Sequence, residues 1–163
     1  MKEFILLIAV AVWMAAPAHA QLNIRKASDK PKEEAVLALH WNWLYSQDGA
    51  WYITAKTSNQ FDDWIWISLG SDGNSAIESV QQLIDLVDTL GDDERVNIDD
   101  RYGKIVLLSL YSVAGKRMGF KMAADGKAGI SYLTTAALKK AVQHIRGKMS
   151  MEQAQRQRNG DIE

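Results

Sequence analysis

An α+β fold, an antiparallel β-sheet with two amphipathic helices packed on one face, is predicted for this chain by three features. Short runs alternate apolar with polar residues at the two-residue period of a half-buried strand. Glycine-bearing dipeptides punctuate those runs at Asp48-Gly49, Ala114-Gly115 and Asp125-Gly126, and such pairs supply the positive φ of tight hairpin turns. Two further segments, following Ser75 and Thr134, carry their apolar residues at helical spacing. The order reads as three strands and a helix, twice, a doubled βββα arrangement. A sheet with helices on one face buries such one-sided stripes.

Residues 1–20 read as an export signal. Met1-Lys2-Glu3 is a short n-region, Phe4 to Met14 is apolar without a break, and Ala18-His19-Ala20 is an A-x-A cleavage site. A membrane anchor needs roughly 18 or more apolar residues, and Pro17 and His19 interrupt this run first. Cleavage leaves no transmembrane segment and predicts an exported protein, periplasmic or secreted. Residues 21–34 follow as a flexible polar leader, 35–147 as one α+β domain, and 148–163 as a polar tail, either a frayed helix or disordered.

Within the domain, Leu37, Leu39, Trp41, Trp43 and Tyr45 recur at spacing two. After Asp48-Gly49 the alternation continues through Trp51, Ile53, Ala55 and Thr57. A competing reading makes 31–45 a helix capped by Ser28 or Asp29; the strand is preferred because the Asp-Gly turn joins two alternating runs. Trp64-Ile65-Trp66-Ile67-Ser68-Leu69 is a third strand by its aromatic and β-branched content. Ser75 then caps a helix with Ala76, Val80, Leu83, Ile84, Val87 and Leu90 on one face, ending at Gly91. An acidic connection with a short strand at Val96 to Ile98 leads into strands from Ile105 to Tyr111, Arg117 to Ala123 and Gly129 to Leu133. Thr134 or Thr135 caps the last helix, with Leu138, Ala141, Val142 and Ile145 as its apolar face.

Charge divides the chain. Residues 21–100 hold six Lys/Arg against fifteen Asp/Glu, whereas 101–148 hold ten Lys/Arg against the single acid Asp125. The basic half is a surface for an anionic polymer, lipid head group or acidic protein, unless the halves interleave and compensate. There is no cysteine and, beyond the signal, no N-x-[ST] sequon, which together favour a bacterial envelope protein and exclude thiolate chemistry.

No catalytic, metal or cofactor motif stands out. His40 and His144 lack H-E-x-x-H spacing, the serines lack a G-x-S-x-G context, and Asp85, Asp88, Asp92, Asp93, Glu94, Asp99 and Asp100 form no calcium loop. His144 reads as a cation near the C-terminal end of the last helix. The aromatic content is more distinctive. Five tryptophans fall between positions 41 and 66, and alternation puts Trp64 and Trp66 opposite Ile65, Ile67 and Leu69. Aliphatic residues under the helices leave the indoles on the open face, where they can stack on sugar rings or on a partner's apolar segments.

The expected binding residues are therefore Trp64 and Trp66, with Lys116, Arg117 and Lys121 from the basic half. The reading is a non-catalytic binding or accessory protein of the bacterial envelope with a protein or glycan partner, no cofactor, no metal and no nucleic acid. The alternative is a small periplasmic hydrolase, or an inhibitor of one, using His40 or the acid cluster.

Overall fold

A computed structural model describes residues 30–39, 41–58 and 64–160. The expected signal, the leader before Lys30, His40 and the connection 59–63 lie outside the described residues. The chain is α+β, and its unit is four strands and a helix, used twice. The first half is β1 (Lys32–Ala38), β2 (Asn42–Gln47), β3 (Ala50–Lys56), β4 (Trp64–Gly70) and α1 (Gly73–Thr89). The second is β5 (Arg95–Asp99), β6 (Ile105–Val113), β7 (Lys116–Ala124), β8 (Ser131–Thr134) and α2 (Thr135–Gly160). Each set of four strands makes its own antiparallel sheet in chain order.

The structure departs from the expected single sheet and βββα unit: the strands divide into two sheets that meet at the isolated Ile67–Asp100 bridge without forming a ladder, and the first half holds a fourth strand. The run from Leu37 to Tyr45 is two strands, because the chain reverses between Ala38 and Asn42, where the Trp41 N–H donates to the Ala38 carbonyl at 3.1 Å. Neither glycine nor proline marks that turn, and the apolar parity runs straight through it. Burial shows the change: Leu37 and Leu44 are core, while Leu39 and Trp41 are exposed. In the second half the expected short strand at Val96 to Ile98 forms as β5, an edge strand with Val96 and Ile98 half-buried and Arg95, Asn97 and Asp99 exposed. Two of the three expected tight hairpin turns form, while Asp125-Gly126 opens a longer connection from β7 to β8 in which Gly126 alone of the pair has positive φ. Asp48-Gly49 and Ala114-Gly115 hold positive φ at both positions, 53° and 86°, 50° and 76°, which matches the twist of the flanking strands.

The α1 cap is Asp72 rather than Ser75. Its carboxylate accepts from the Asn74 and Ser75 N–H groups at 2.8 and 3.0 Å, and the Ser75 hydroxyl accepts the Asp72 N–H in return. That reciprocal pair satisfies the orphan donors of the first turn. The Thr134 hydroxyl accepts from the Ala137 N–H and caps α2. Helix α2 runs on through the predicted tail to Gly160, with residues 151–159 exposed all round. His144 accordingly sits mid-helix instead of near its C-terminal end.

The helices pack on each other and each touches both sheets: α1 lies on β3, β4 and β7, and α2 on β1, β7 and β8. Val80, Leu83 and Val87 of α1 and Leu138, Ala141, Val142 and Ile145 of α2 are buried, in one cluster with Leu44, Ile53, Ile67, Leu108, Phe120 and Leu133 of the sheets. Backbone bonds join the sheets at two places. Asp100 bridges to Ile67 and the Arg101 N–H donates to the Trp66 carbonyl at 2.8 Å. At the other, Ser58 and Ile130 bond through their main chains at 2.7 Å, and the buried Asn42 amide donates to the Tyr132 carbonyl at 3.0 Å. The Lys148 ammonium ties α2 to β1 through Glu34 and lies 4.9 Å from the Trp51 ring centre. Burial pushes the Glu34 carboxyl up, but hydrogen bonds from Lys148 and Ser46 and the charges of Lys148 and Lys32 outweigh it, and the group is held below its ordinary value.

Candidate functional site: the aromatic face of the first sheet

Strand parity builds this face. On β4, Ile65, Ile67 and Leu69 are buried and Trp64, Trp66 and Ser68 point the other way, with both indoles half-buried. The two-residue turn at Asp48-Gly49 fixes the β2–β3 register, so Trp43 faces Thr54 and Tyr45 faces Tyr52; Thr54 in turn faces Trp66, and Lys56 faces Trp64. Residues opposite each other in a ladder share a face. Five aromatic side chains, Trp43, Tyr45, Tyr52, Trp64 and Trp66, therefore stand on one surface.

Those rings close over the central strand. Residues on β2 and β4 are about 9–10 Å apart across β3, yet the Trp43 and Trp64 ring centres approach to 4.8 Å and those of Tyr45 and Trp66 to 5.1 Å. Both pairs are inclined, at 61° and 44°, the geometry that the ring quadrupole favours over face-to-face stacking. Thr54, lying between, is fully buried, and its hydroxyl has no hydrogen-bond partner among the described residues.

Arg101 completes the surface. Its guanidinium carbon lies 4.6 Å from the Tyr52 ring centre, 5.4 Å from that of Trp66 and 6.0 Å from that of the exposed Tyr102. One guanidinium nitrogen donates to the Gln47 side-chain oxygen. The loop after β5 puts it there: the buried Asp100 carboxylate accepts the Tyr102 and Lys104 N–H groups, both at 2.7 Å, so the acid is consumed in shaping the turn. At the opposite edge, on β1, Glu33 accepts from the Tyr45 hydroxyl at 3.3 Å. Burial, then the charge and hydrogen bond of Glu33, push the Tyr45 phenol up.

The other expected binding residues stand elsewhere. Arg117 caps the C-terminal end of α1, donating to the Val87 and Asp88 carbonyls at 3.0 and 2.8 Å and pairing with Asp92 at 3.4 Å. That is a helix-terminus role, a cation against the negative end of the dipole. Lys116 is exposed beside it, in a cleft of about 460 Å³ that Arg117, Thr135 and Lys139 also line. Lys121 is exposed on the second sheet, opposite Tyr132, whose ring meets Tyr111 at 4.7 Å. Trp64 and Trp66 are thus together, and the three basic residues are not with them. Besides Lys56, opposite Trp64 on the strands themselves, the face carries Arg101, which lies against the rings and which nothing in the sequence singled out. Tyr45 and Tyr52 were within reach of the hairpin register; Arg101 arrives only through the joint between the sheets.

A second cleft, of about 350 Å³, lies between β4, β5 and α1, lined by Leu69, Leu83, Leu86 and Ile98 among others. Ser68, Ser79, Gln82 and Asp99 also line it, whereas none of the five rings does, and stacking on a sheet face needs no such hollow. Among the described residues no three His, Cys, Asp or Glu side chains gather closely enough to hold a metal ion, and no helix is long and apolar enough to cross a membrane. Compared with known families, curated proteins and solved structures, the chain finds no match in any of the three.

Proposed function

We propose that the chain is an exported, non-catalytic binding protein of the bacterial envelope that holds a protein or glycan partner on the aromatic face of its first sheet. The observation that carries this reading is the half-exposed wall of Trp43, Tyr45, Tyr52, Trp64 and Trp66 with Arg101 set among the rings. Trp, Tyr and Arg are the side chains that concentrate binding energy, since each joins a large flat apolar area to a polar donor. The rings are also held against one another, so little side-chain freedom is lost on contact. Export rests on the A-x-A site and the apolar run before it.

Capture from an envelope extract by the immobilised protein, with protein and glycan analysis of what is retained, tests the proposal. Trp64→Ala and Trp66→Ala should keep the far-UV spectrum of the folded chain, with melting lowered by the lost ring contacts, while reducing the captured partner at least tenfold. Unfolding of both variants would show that the rings are core. Unchanged capture would move the binding surface off this face.

A further inference from the structure

Building on that reading of the aromatic face, we infer that its ligand is an acidic polysaccharide whose negative charge is a carboxylate on the sugar ring, with Arg101 as the residue that reads the carboxylate. Three observations lead there. Arg101 is a cation without a carboxylate partner among the described residues; its side-chain partner there is the neutral Gln47 amide. The nearest acid in sequence, Asp100, is turned inward and satisfied by two backbone donors. The remaining guanidinium donors are thus left to a ligand, and a planar fork matches a planar carboxylate.

The charge is also placed where a stacked sugar can use it. The guanidinium lies over Tyr52 and beside Trp66, so a pyranose resting its C–H face on the indole brings a ring substituent alongside Arg101. Glu33, an acid of the face, stands on β1 and is engaged by the Tyr45 hydroxyl, while the guanidinium lies over Tyr52 and bonds Gln47. The anionic group of the ligand therefore belongs beside Arg101.

A sugar suits this surface better than a protein partner does. Protein interfaces bury a continuous apolar core, and apart from the rings the described strands of this face offer one aliphatic side chain, Val36, at its β1 edge. It offers instead rings interleaved with polar groups, Gln47, Lys56, Ser68 and the tyrosine hydroxyls. A pyranose has that same alternation, an apolar face girdled by hydroxyls.

Tryptophan fluorescence titration of the purified protein with galacturonate and glucuronate oligomers, and with the same oligomers fully methyl-esterified, is the test. The ester keeps the ring and removes the charge. The wild-type protein should bind at least one acid at least tenfold more tightly than its ester, and Arg101→Gln should bind that acid and its ester alike. Arg101→Lys, which keeps the charge and loses the fork, should fall between. Trp66→Ala should lose both ligands. Equal binding of acid and ester by the wild type, lost in Trp66→Ala, would overturn the acidic class while leaving the aromatic face as the binding surface. No binding of either acid, or acid binding that survives both Trp66→Ala and Arg101→Gln, would overturn the inference, the latter by locating the sugar on the basic second half. Should Trp66→Ala fail to fold, the acid-to-ester ratio of Arg101→Gln against that of the wild type decides the matter.

Discussion

Thr54 is the residue on which the aromatic face turns. A short side chain at the centre of β3 lets Trp43 meet Trp64 and Tyr45 meet Trp66 above it. The consequence is a hydroxyl on the sheet's outer side that is as dry as the core and unpartnered among the described residues. An unsatisfied buried polar group costs about 1–3 kcal/mol, and an apolar group of the same shape avoids that cost. Thr54→Val should therefore raise stability by about 1 kcal/mol in urea unfolding, leaving the fluorescence maximum of the indoles in place. A loss of similar size would mean that the hydroxyl has a partner that the described contacts do not include.

Helix α2 illustrates how an element can be part core and part surface. Its first three turns bury Ala137, Leu138, Ala141, Val142 and Ile145, while residues 151–159 touch little but water. The apolar stripe from Leu138 to Ile145 is what makes this helix belong to the fold; beyond Met149 it continues on helix propensity alone. Leu138 is completely buried, at the meeting of α2 with the second sheet. Leu138→Ala should cost about 2–5 kcal/mol, the range for truncating a buried leucine. A measured cost below about 0.5 kcal/mol, typical of a surface position, would contradict the packing. The other helix is set by its ends: Asp72 and Ser75 close its first turn and Arg117 its last carbonyls.

The two ββββα units share one hydrophobic cluster, with each helix lying on strands of both sheets. Such a molecule has no half that buries its own apolar surface separately. Unfolding should then be a single cooperative event. The tryptophan distribution gives a direct check, because the five tryptophans that follow the expected signal all lie in the first sheet or its β1–β2 turn. Their fluorescence reports one unit, whereas far-UV dichroism reports both. The two transitions in urea should superimpose; a fluorescence midpoint displaced from the dichroism midpoint would show that the units unfold separately.

Local periodicity was enough to reveal the α+β class, the tight turns at Asp48-Gly49 and Ala114-Gly115, both helical stripes and the opposition of Trp64 and Trp66 to Ile65 and Ile67. Each of these follows from neighbours a few residues apart, where the two-residue and 3.6-residue periods dictate which side chains share a face. The extra turn between β1 and β2 was hidden because it keeps the apolar parity and uses no glycine or proline. The division into two sheets was hidden because strand pairing is a choice among distant partners, and β4 and β5 meet at the Ile67–Asp100 bridge without extending it into a ladder. Arg101 reached the aromatic face for the same reason: that bridge carries the loop from one sheet onto the other. Arg117, equally basic in the sequence, was drawn instead to the carbonyl end of α1. Charge alone could not separate the two arginines; the long-range packing of the two units gave one an aromatic surface and the other a helix terminus.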